Sequence, residues 1–163
     1  MLNKPRSWLY AFAETPLSEA QQRHYGQLLE RRWQGEPVAY LTGTQGFWSL
    51  TLKVTPATLI PRPETELLVS LALANLADTP HPHLLDMGTG SGAIALAIAS
   101  ELPLAKITAV DLSSEALAVA AENAVALGCR NTELLHSDWF SALAGRRFHG
   151  IVSNPPYIEE GDA

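Results

Sequence analysis

The sequence predicts an α/β fold in which helices cover both faces of a parallel sheet. Two observations lead to this prediction. After Pro63, apolar segments of strand length alternate with longer segments of helical periodicity, and a glycine-rich loop joins the first of these strands to the next helix. The chain has 163 residues, 47% of them apolar and 17% charged, which is enough to bury a core. Such sheets bind ligands beyond the carboxyl ends of their strands, so a functional site is expected there.

The N-terminal part of the chain predicts a helix followed by a β-hairpin. Apolar residues recur at helical spacing over residues 17–33, Ser18 stands where an N-cap is expected, and Gly35 with Pro37 ends the pattern. Over residues 43–63, apolar residues alternate with small or polar ones and are interrupted by glycines and prolines. This spacing predicts a hairpin and a rigid connector.

The rest of the chain alternates between strands and helices. The predicted elements are a helix at 64–77, a strand at 84–87, a helix at 92–101, a strand at 107–110, a helix at 114–127, and strands at 133–135 and 150–153. This alternation is typical of βαβ units, whose strands run parallel.

The glycine-rich loop predicts a nucleoside cofactor site. Glycines at a strand-to-helix turn let the backbone approach a ligand that a β-carbon would exclude. The predicted cofactor-binding residues of this loop are Asp86, Gly88, Thr89, Gly90, Ser91 and Gly92. Gly88, Gly90 and Ala93 also satisfy the dinucleotide fingerprint, so the glycines alone leave both NAD and S-adenosylmethionine open.

Acidic and aromatic residues after the next two strands extend the predicted cofactor site. Asp111 closes a strand, where a carboxylate can accept both hydroxyls of an adenosine ribose; it can also be the N-cap of the helix that begins near Ser113, and the two roles are compatible. Asp138 and Trp139 follow the next strand, and Trp139 is a candidate wall for an adenine pocket. Alternatively, Asp138 is a cap and Trp139 an ordinary apolar contact.

The segment Asn154-Pro155-Pro156-Tyr157 predicts a binding site for a planar NH₂ group. Its prolines force an extended backbone, so the Asn154 side chain and the Pro155 carbonyl can stand side by side as acceptors. The Tyr157 ring can pack on the plane of the group. We therefore predict that Asn154, Pro155 and Tyr157 are catalytic. All four residues, including Pro156, are predicted to bind the substrate, and Asn154 is also predicted to contact the cofactor. The alternative is a simple turn after an edge strand.

The composition narrows the classes of partner. Eleven Lys and Arg against seventeen Asp and Glu give a net charge of −6, which argues against a nucleic acid as substrate. Cys129 is the single cysteine, no apolar run approaches the roughly 20 residues of a membrane span, and the first residues lack a signal-peptide pattern. We expect a cytoplasmic protein with neither membrane contact nor a metal site.

Further motifs run through almost the whole chain. They are Arg31-Arg32-Trp33-Gln34-Gly35-Glu36-Pro37, Leu41-Thr42-Gly43, Phe47-Trp48, Leu59-Ile60-Pro61-Arg62-Pro63-Glu64-Thr65-Glu66 and Ser137-Asp138-Trp139-Phe140. With the glycine loop and the segment at 154–157, they make the chain resemble the release-factor glutamine N5-methyltransferases, the HemK family of class I S-adenosylmethionine-dependent methyltransferases. The connector at 61–66 discriminates best, because nucleic-acid amino-methyltransferases share motifs like the segment at 154–157 without it.

The resemblance implies a Rossmann-like fold, S-adenosylmethionine as cofactor and peptide chain release factors as substrates. It implies that residues 88–92 hold the methionine and ribose part of the cofactor, that Asp111 binds the ribose, and that Trp139 lies near the adenine. It also implies that residues 154–157 bind the glutamine of the Gly-Gly-Gln loop. Methylation of this glutamine is linked to translation termination. Arg62 and Glu64 either form an ion pair in the connector or shape the substrate cleft.

The resemblance further implies a division into three segments. Residues 1–42 are expected to be a partial N-terminal helical substrate-recognition domain, 43–63 the hairpin and connector, and 64–163 a truncated methyltransferase domain. Class I methyltransferases usually have seven strands, and the strand at 151–154 matches the fourth. We therefore expect a fragment that carries the N-terminal half of the parallel sheet, with an exposed apolar edge.

Two other functions stay open at this point. One is methylation of an exocyclic amino group in DNA or RNA, and the other is a non-catalytic fragment that binds cofactor without turnover. A NAD-dependent oxidoreductase is disfavoured, because nothing in the segment at 154–157 suits hydride transfer.

Overall fold

The chain divides into two compact units, Met1–Thr42 and Gly43–Ala163. The structure is a computed structural model, and the residues it describes are 2 and 4–155. In the described part of the first unit, the helices are α1 (Arg6–Ala11), α2 (Glu19–Trp33) and α3 (Val38–Thr42). The sequence predicts α2 but not α1 or α3, because their 6 and 5 residues are too few for helical periodicity to stand out.

A capping box begins α2 at the predicted N-cap. The Ser18 hydroxyl accepts the backbone N–H of Gln21, and the Gln21 side-chain oxygen accepts the backbone N–H of Ser18. Near the other end of the helix, Arg31 forms an ion pair with Glu36. The predicted start and end of this helix are thus confirmed.

The second unit begins with the predicted hairpin. Strands β1 (Thr44–Phe47) and β2 (Leu50–Lys53) pair antiparallel, with Phe47 opposite Leu50. The turn between them holds Trp48 at a φ of 56°. The hairpin is therefore confirmed.

The connector leads from the hairpin into α4 (Glu66–Leu76). The backbone N–H of Trp48 donates to Oε1 of Glu66 at 2.8 Å, which attaches the hairpin turn to the start of α4. The helix predicted from residue 64 begins two residues later, because Pro63–Thr65 forms a 3₁₀ turn instead.

Four parallel strands of the described chain form the main sheet, in the order β5-β4-β3-β6. Its elements are β3 (His83–Met87), α5 (Ala93–Glu101), β4 (Lys106–Asp111), α6 (Ser114–Leu127), β5 (Thr132–His136) and β6 (Gly150–Ser153). All six predicted elements are confirmed, with bounds that differ by at most one residue. The strand order reverses at β3, which lies between β4 and β6, and such a reversal opens a crevice at the carboxyl ends of the strands.

The core is built around α5. Every residue from 93 to 99 is buried, and a helix that is apolar all round must be covered on all sides. Helices α4 and α6 pack against it, and Phe47 and Leu52 of the hairpin join the same apolar cluster. Within the described residues, no helix has the length and apolar character that a membrane crossing requires.

The buried side chain of Asn123 in α6 attaches the hairpin to the glycine loop. Its oxygen accepts the backbone N–H of Lys53 at 2.7 Å. Its nitrogen donates to the carbonyls of Lys53 at 3.0 Å and Ser91 at 2.9 Å. Both donor positions of the amide are therefore used inside the protein.

We predict that Asn123→Ala lowers the free energy of unfolding by about 2–4 kcal/mol, because it removes three hydrogen bonds and leaves the buried carbonyl of Ser91 and the half-buried backbone groups of Lys53 without this partner. The neighbouring Glu122→Ala is the matched control. It removes an exposed ion pair with the same lysine and should cost less than about 1 kcal/mol. Urea denaturation measures both, and equal losses would contradict the prediction.

Candidate active site

Loops that follow β3, β4, β5 and β6 meet at the carboxyl edge of the sheet and line a cavity of about 360 Å³. The connector after the hairpin completes its wall with Ala57, Thr58 and Leu59. This volume lies in the range of small-molecule sites, which is roughly 300–1,000 Å³. The crevice expected from the strand order is therefore a formed cavity.

The glycines of the loop have two different roles. Gly88 and Gly90 line the cavity at φ values of 72° and 57°, and an added β-carbon on Gly90 would meet no protein atom within 4 Å. Gly92, predicted as a cofactor residue, is buried with a φ of 84°, and an added β-carbon would lie 2.9 Å from Cδ1 of Leu96. A side chain at this position would be strained by the positive φ and would press on Leu96 of α5, so Gly92 has a structural role in the loop.

Three other predicted cofactor residues are buried behind the loop. Asp86, Thr89 and Ser91 are 1%, 6% and 2% exposed, and none of them is among the described residues that line the cavity. Oδ2 of Asp86 accepts the Thr89 hydroxyl at 2.7 Å and the backbone N–H of Ala95 at 3.2 Å. Asp86 thus joins the end of β3 to the loop and to the first turn of α5.

Burial raises the pKa of Asp86 from 3.8 to about 6. The hydrogen bonds from Thr89 and Ala95 oppose this rise in pKa, and the nearby negative charge of Asp111 adds to it. Oδ1 of Asp86 is buried and accepts no hydrogen bond from the described residues. This carboxyl precedes Met87, which lines the cavity, and its negative charge is poorly stabilised by the described residues.

Asp111 lines the cavity and shapes the loop at the same time. Its Oδ2 accepts the backbone N–H of Gly90 at 2.8 Å, and its Oδ1 accepts that of Ser113 at 2.9 Å. Ser113 is the N-cap of α6 and accepts the N–H of Ala116, so the alternative that Asp111 is the cap is wrong. A carboxylate offers about four acceptor positions, so about two remain for ligand hydroxyls.

The loop after β5 brings Asp138 and Trp139 to the cavity. Buried Ser137 holds this loop, since its hydroxyl donates to the carbonyl of Trp139 at 2.8 Å and accepts the N–H of Ala142 at 3.1 Å. Trp139 is 61% exposed and lines the cavity, so it is not an ordinary core contact. Turns rather than a helix follow Asp138, so the alternative that it is a helix cap is wrong.

The backbone of the glycine loop argues against a dinucleotide. In dinucleotide sites, loop N–H groups bind the pyrophosphate. Here the N–H groups of Gly88 and Thr89 donate to the carbonyl of Val110, and that of Gly90 donates to Asp111. Among the described residues that line the cavity, none is Lys, Arg or His. The cavity therefore fits a nucleoside with positive charge, such as S-adenosylmethionine, better than NAD.

A second cavity of about 360 Å³ adjoins the first, and Leu59, Asn154 and Pro155 line both. The connector and α4 supply its other walls, which are Arg62, Glu64, Thr65, Leu67 and Leu68. In the described chain, no ion pair joins Arg62 to Glu64, and both side chains are exposed. These two charges line the cleft, which favours the cleft-shaping alternative.

Asn154 is fixed from two sides at the junction of the cavities. The hydroxyl of the preceding Ser153 donates to the carbonyl of Met87 at 2.8 Å, which joins the ends of β6 and β3. The Asn154 side chain donates from Nδ2 to the Thr65 hydroxyl at 3.0 Å. The predicted substrate residues Pro156 and Tyr157 lie outside the described residues.

Sequence reasoning missed several residues of the site. Ala57, Thr58 and Leu59 line the first cavity, and Thr65 contacts Asn154, although none was singled out as a site residue. Small apolar and hydroxyl side chains carry no chemical signature of ligand contact. Their one available signal is their position in the connector between the hairpin and α4.

Comparisons with known families cover both units. The Methyltransferase small domain family matches residues 64–163, and the PrmC N-terminal domain family matches residues 1–43. The chain is 56% identical over 159 residues to the release factor glutamine methyltransferase of Salmonella typhimurium, a match that covers 98% of the chain and 57% of that protein. The chain therefore spans just over half the length of the curated relatives it matches.

Solved structures confirm the predicted methyltransferase-type fold. The ribosomal protein L11 methylase of Lactobacillus delbrueckii subsp. bulgaricus gives a TM-score of 0.51 at 27% identity, covering 64% of this chain and 52% of that one. A SAM-dependent methyltransferase of Agrobacterium tumefaciens gives a TM-score of 0.59 at 20% identity, covering 69% of this chain and 39% of that one. The second similarity shows the fold alone.

The raised pKa of Asp86 predicts a specific pH dependence of stability. Since its pKa is about 6 in the folded state against an ordinary 3.8, the folded protein holds this proton more tightly than the unfolded chain between those pH values. Its contribution to the free energy of unfolding should therefore fall as pH rises from about 4 to about 6, by about 3 kcal/mol in all.

We predict that Asp86→Asn removes this fall. The free energy of unfolding of the variant, minus that of the parent, should therefore rise across the same pH range. Urea denaturation at a series of pH values measures it. Asp78→Asn, which changes an exposed carboxylate outside the site, is the control and should leave the parent profile intact. A parent profile in the Asp86 variant as well would show that the folded protein does not hold this proton.

Proposed function

Because the chain belongs to the Methyltransferase small domain family, we propose that it is the S-adenosylmethionine-binding part of an enzyme that methylates a glutamine side-chain amide in peptide chain release factors. The proposal rests on the junction of the two cavities, where Asn154 and Pro155 line both. A methyl donor in the first cavity and an amide in the second would meet at these residues. The name of the relative from Salmonella typhimurium supports the release factor as substrate.

We assign the first cavity to the cofactor. Asp111 would accept the ribose hydroxyls with the acceptor positions that Gly90 and Ser113 leave open. Trp139 would pack against the adenine, with Asp138 beside it. Gly88 and Gly90 would let the methionine part lie against the backbone, in front of the buried Asp86.

The chemistry of an amide nitrogen explains the role assigned to Asn154 and Pro155. Bound S-adenosylmethionine supplies a methyl group on a positively charged sulfur. The amide lone pair is delocalised and its N–H is too weakly acidic for a side chain to remove, so positioning and charge stabilisation must replace deprotonation. The oxygens of the Asn154 side chain and the Pro155 carbonyl would hold the NH₂ group and stabilise the positive charge that develops on nitrogen.

The second cavity and the names of the relatives support the proposed substrate. We propose that the methylated residue is the glutamine of the Gly-Gly-Gln loop and that its methylation serves translation termination. Pro156 and Tyr157 would complete the binding site for this glutamine. Residues 1–42 would belong to the domain that recognises the release factor, with 43–63 as connector and 64–163 as the catalytic segment. The net charge of −6 disfavours a nucleic acid in that role.

We predict that Trp139→Ala weakens S-adenosylmethionine binding by about tenfold, on the scale of one aromatic stacking contact with a base. Calorimetric titration of the 163-residue chain measures it. Phe140→Ala is the matched control, because Phe140 is an exposed aromatic residue of the same loop that does not line the described cavity. Equal affinity in both variants would exclude Trp139 from the cofactor site.

The release-factor assignment predicts methyl transfer to the Gly-Gly-Gln glutamine, detected by mass spectrometry after incubation with S-adenosylmethionine and an unmethylated release factor. Two forms are compared, namely this chain and a hybrid that adds the C-terminal part of the Salmonella typhimurium relative beyond the matched region. Asn154→Ala should lower the rate at least about 100-fold, because the developing charge loses an oriented acceptor. Asn75→Ala, which changes an exposed asparagine of α4, should leave the rate intact.

The outcomes separate the functions that the sequence leaves open. Transfer by the hybrid alone would make this chain the cofactor-binding fragment of the enzyme, and transfer by both would make it active by itself. Transfer to a nucleic acid instead would support the alternative substrate. If neither form methylates the release factor, the substrate assignment is wrong.

A further inference from the structure

Thr65 occupies the N-cap position of α4 but does not cap the helix. Thr65 also ends the 3₁₀ turn Pro63–Thr65, so its backbone is helical and its hydroxyl is not placed to cap α4. Here its hydroxyl accepts Nδ2–H of Asn154 at 3.0 Å, across 89 residues of sequence. Both side chains are half-buried and line the second cavity. The hydroxyl is thus directed to the candidate site rather than to the helix.

In the structure, the contact occupies the donor end of the Asn154 carboxamide and leaves its acceptor end free. A carboxamide has a donor end and an acceptor end of nearly equal shape, so a rotation of 180° exchanges them at little steric cost. In the observed orientation Nδ2 faces Thr65, and no donor among the described residues reaches Oδ1 of Asn154. In the opposite orientation, the NH₂ group would face the substrate and repel the hydrogens of an incoming amide.

We propose that Thr65 is a positioning residue for methyl transfer, whose hydroxyl holds the Asn154 carboxamide with Oδ1 toward the amide NH₂ of the substrate glutamine. This inference rests on the proposed function and deepens it. Positive charge develops on the substrate nitrogen during transfer, and an acceptor oxygen stabilises that charge whereas an NH₂ group opposes it. The orientation of one amide therefore decides whether the site favours or hinders the reaction.

The connector fixes the position of the Thr65 hydroxyl. The backbone N–H of Thr65 donates to the carbonyl of Arg62 at 3.0 Å, which closes the 3₁₀ turn Pro63–Thr65. The next residue, Glu66, accepts the backbone N–H of Trp48 at 2.8 Å. The connector turn and the hairpin thus both fix the backbone around Thr65. The inference gives the Pro-Arg-Pro-Glu-Thr-Glu connector a chemical role, which is to orient the acceptor.

The test compares three variants in whichever form, the chain or the hybrid, transfers methyl groups. Thr65→Val keeps the shape but removes the hydroxyl, Thr65→Ser keeps the hydroxyl, and Ser70→Ala removes a hydroxyl elsewhere on α4. We expect Thr65→Val to lower kcat by about tenfold, the scale of one hydrogen bond, with KM changed by less than about threefold. The rate falls more than the affinity because the charge on nitrogen appears only during transfer. Thr65→Ser and Ser70→Ala should match the parent, and a parent-like kcat in Thr65→Val would overturn the inference.

A second readout does not depend on turnover. The side-chain NH₂ resonances of Asn154 in a ¹⁵N–¹H spectrum, identified by their loss in Asn154→Asp, should move in Thr65→Val and stay in place in Thr65→Ser. S-adenosylhomocysteine affinity should be unchanged in all three variants. If it falls together with kcat in Thr65→Val, the residue has a structural role in the cofactor site and the inference is overturned.

The two readouts separate failure of the inference from failure of the proposed function. If no form methylates a release factor, the proposed function is wrong. The Asn154 resonances still decide whether Thr65 holds the amide, and unmoved resonances in Thr65→Val would overturn the inference by themselves.

Discussion

The buried carboxylate of Asp86 joins three parts of the site, because one of its oxygens accepts bonds from the glycine loop and from the first turn of α5, while its backbone belongs to β3. Burying a carboxylate costs free energy, and the hydrogen bonds from Thr89 and Ala95 offset part of that cost. In the same loop, Gly88 and Gly90 line the cavity and the N–H of Gly90 donates to Asp111. Asp86 thus holds the loop that contacts the ribose-binding candidate.

A second buried polar group, Asn123, fixes the hairpin to the back of the same loop. This attachment determines the course of the connector, which passes along both cavities before it enters α4. The hairpin is therefore more than an extension of the fold. Its turn residue Trp48 donates a backbone N–H to Glu66, so the hairpin is attached at the residue after Thr65.

At this edge of the sheet, an arrangement that suits the proposed chemistry lowers the stability of the folded protein. The cavity is lined by Asp111 and Asp138, and Asp86 lies behind its wall with a raised pKa and an oxygen that accepts no bond from the described residues. Such an arrangement weakens the folded protein at neutral pH but favours a ligand with positive charge.

The sequence by itself determined the secondary structure, the parallel sheet and the edge at which the site lies. Strand and helix patterns depend on neighbours in sequence, and the glycine loop follows from backbone freedom within seven residues, 86–92. The short helices α1 and α3 escaped prediction because a helix of 5 or 6 residues shows no period. Asp111, Asp138, Trp139 and Asn154 all reached the cavity as the sequence predicted, because the carboxyl ends of parallel strands share one edge.

Only the tertiary structure decided which way each group faces. It placed Asp86, Thr89, Ser91 and Gly92 behind the cavity wall and turned the loop N–H groups toward Val110 and Asp111, which distinguishes this site from a dinucleotide site. It also brought Thr65 to Asn154 across 89 residues. Sequence patterns encode local dihedral angles and burial. The direction of a side chain and its distant partner depend on the strand order and on the packing of the connector, which no local pattern records.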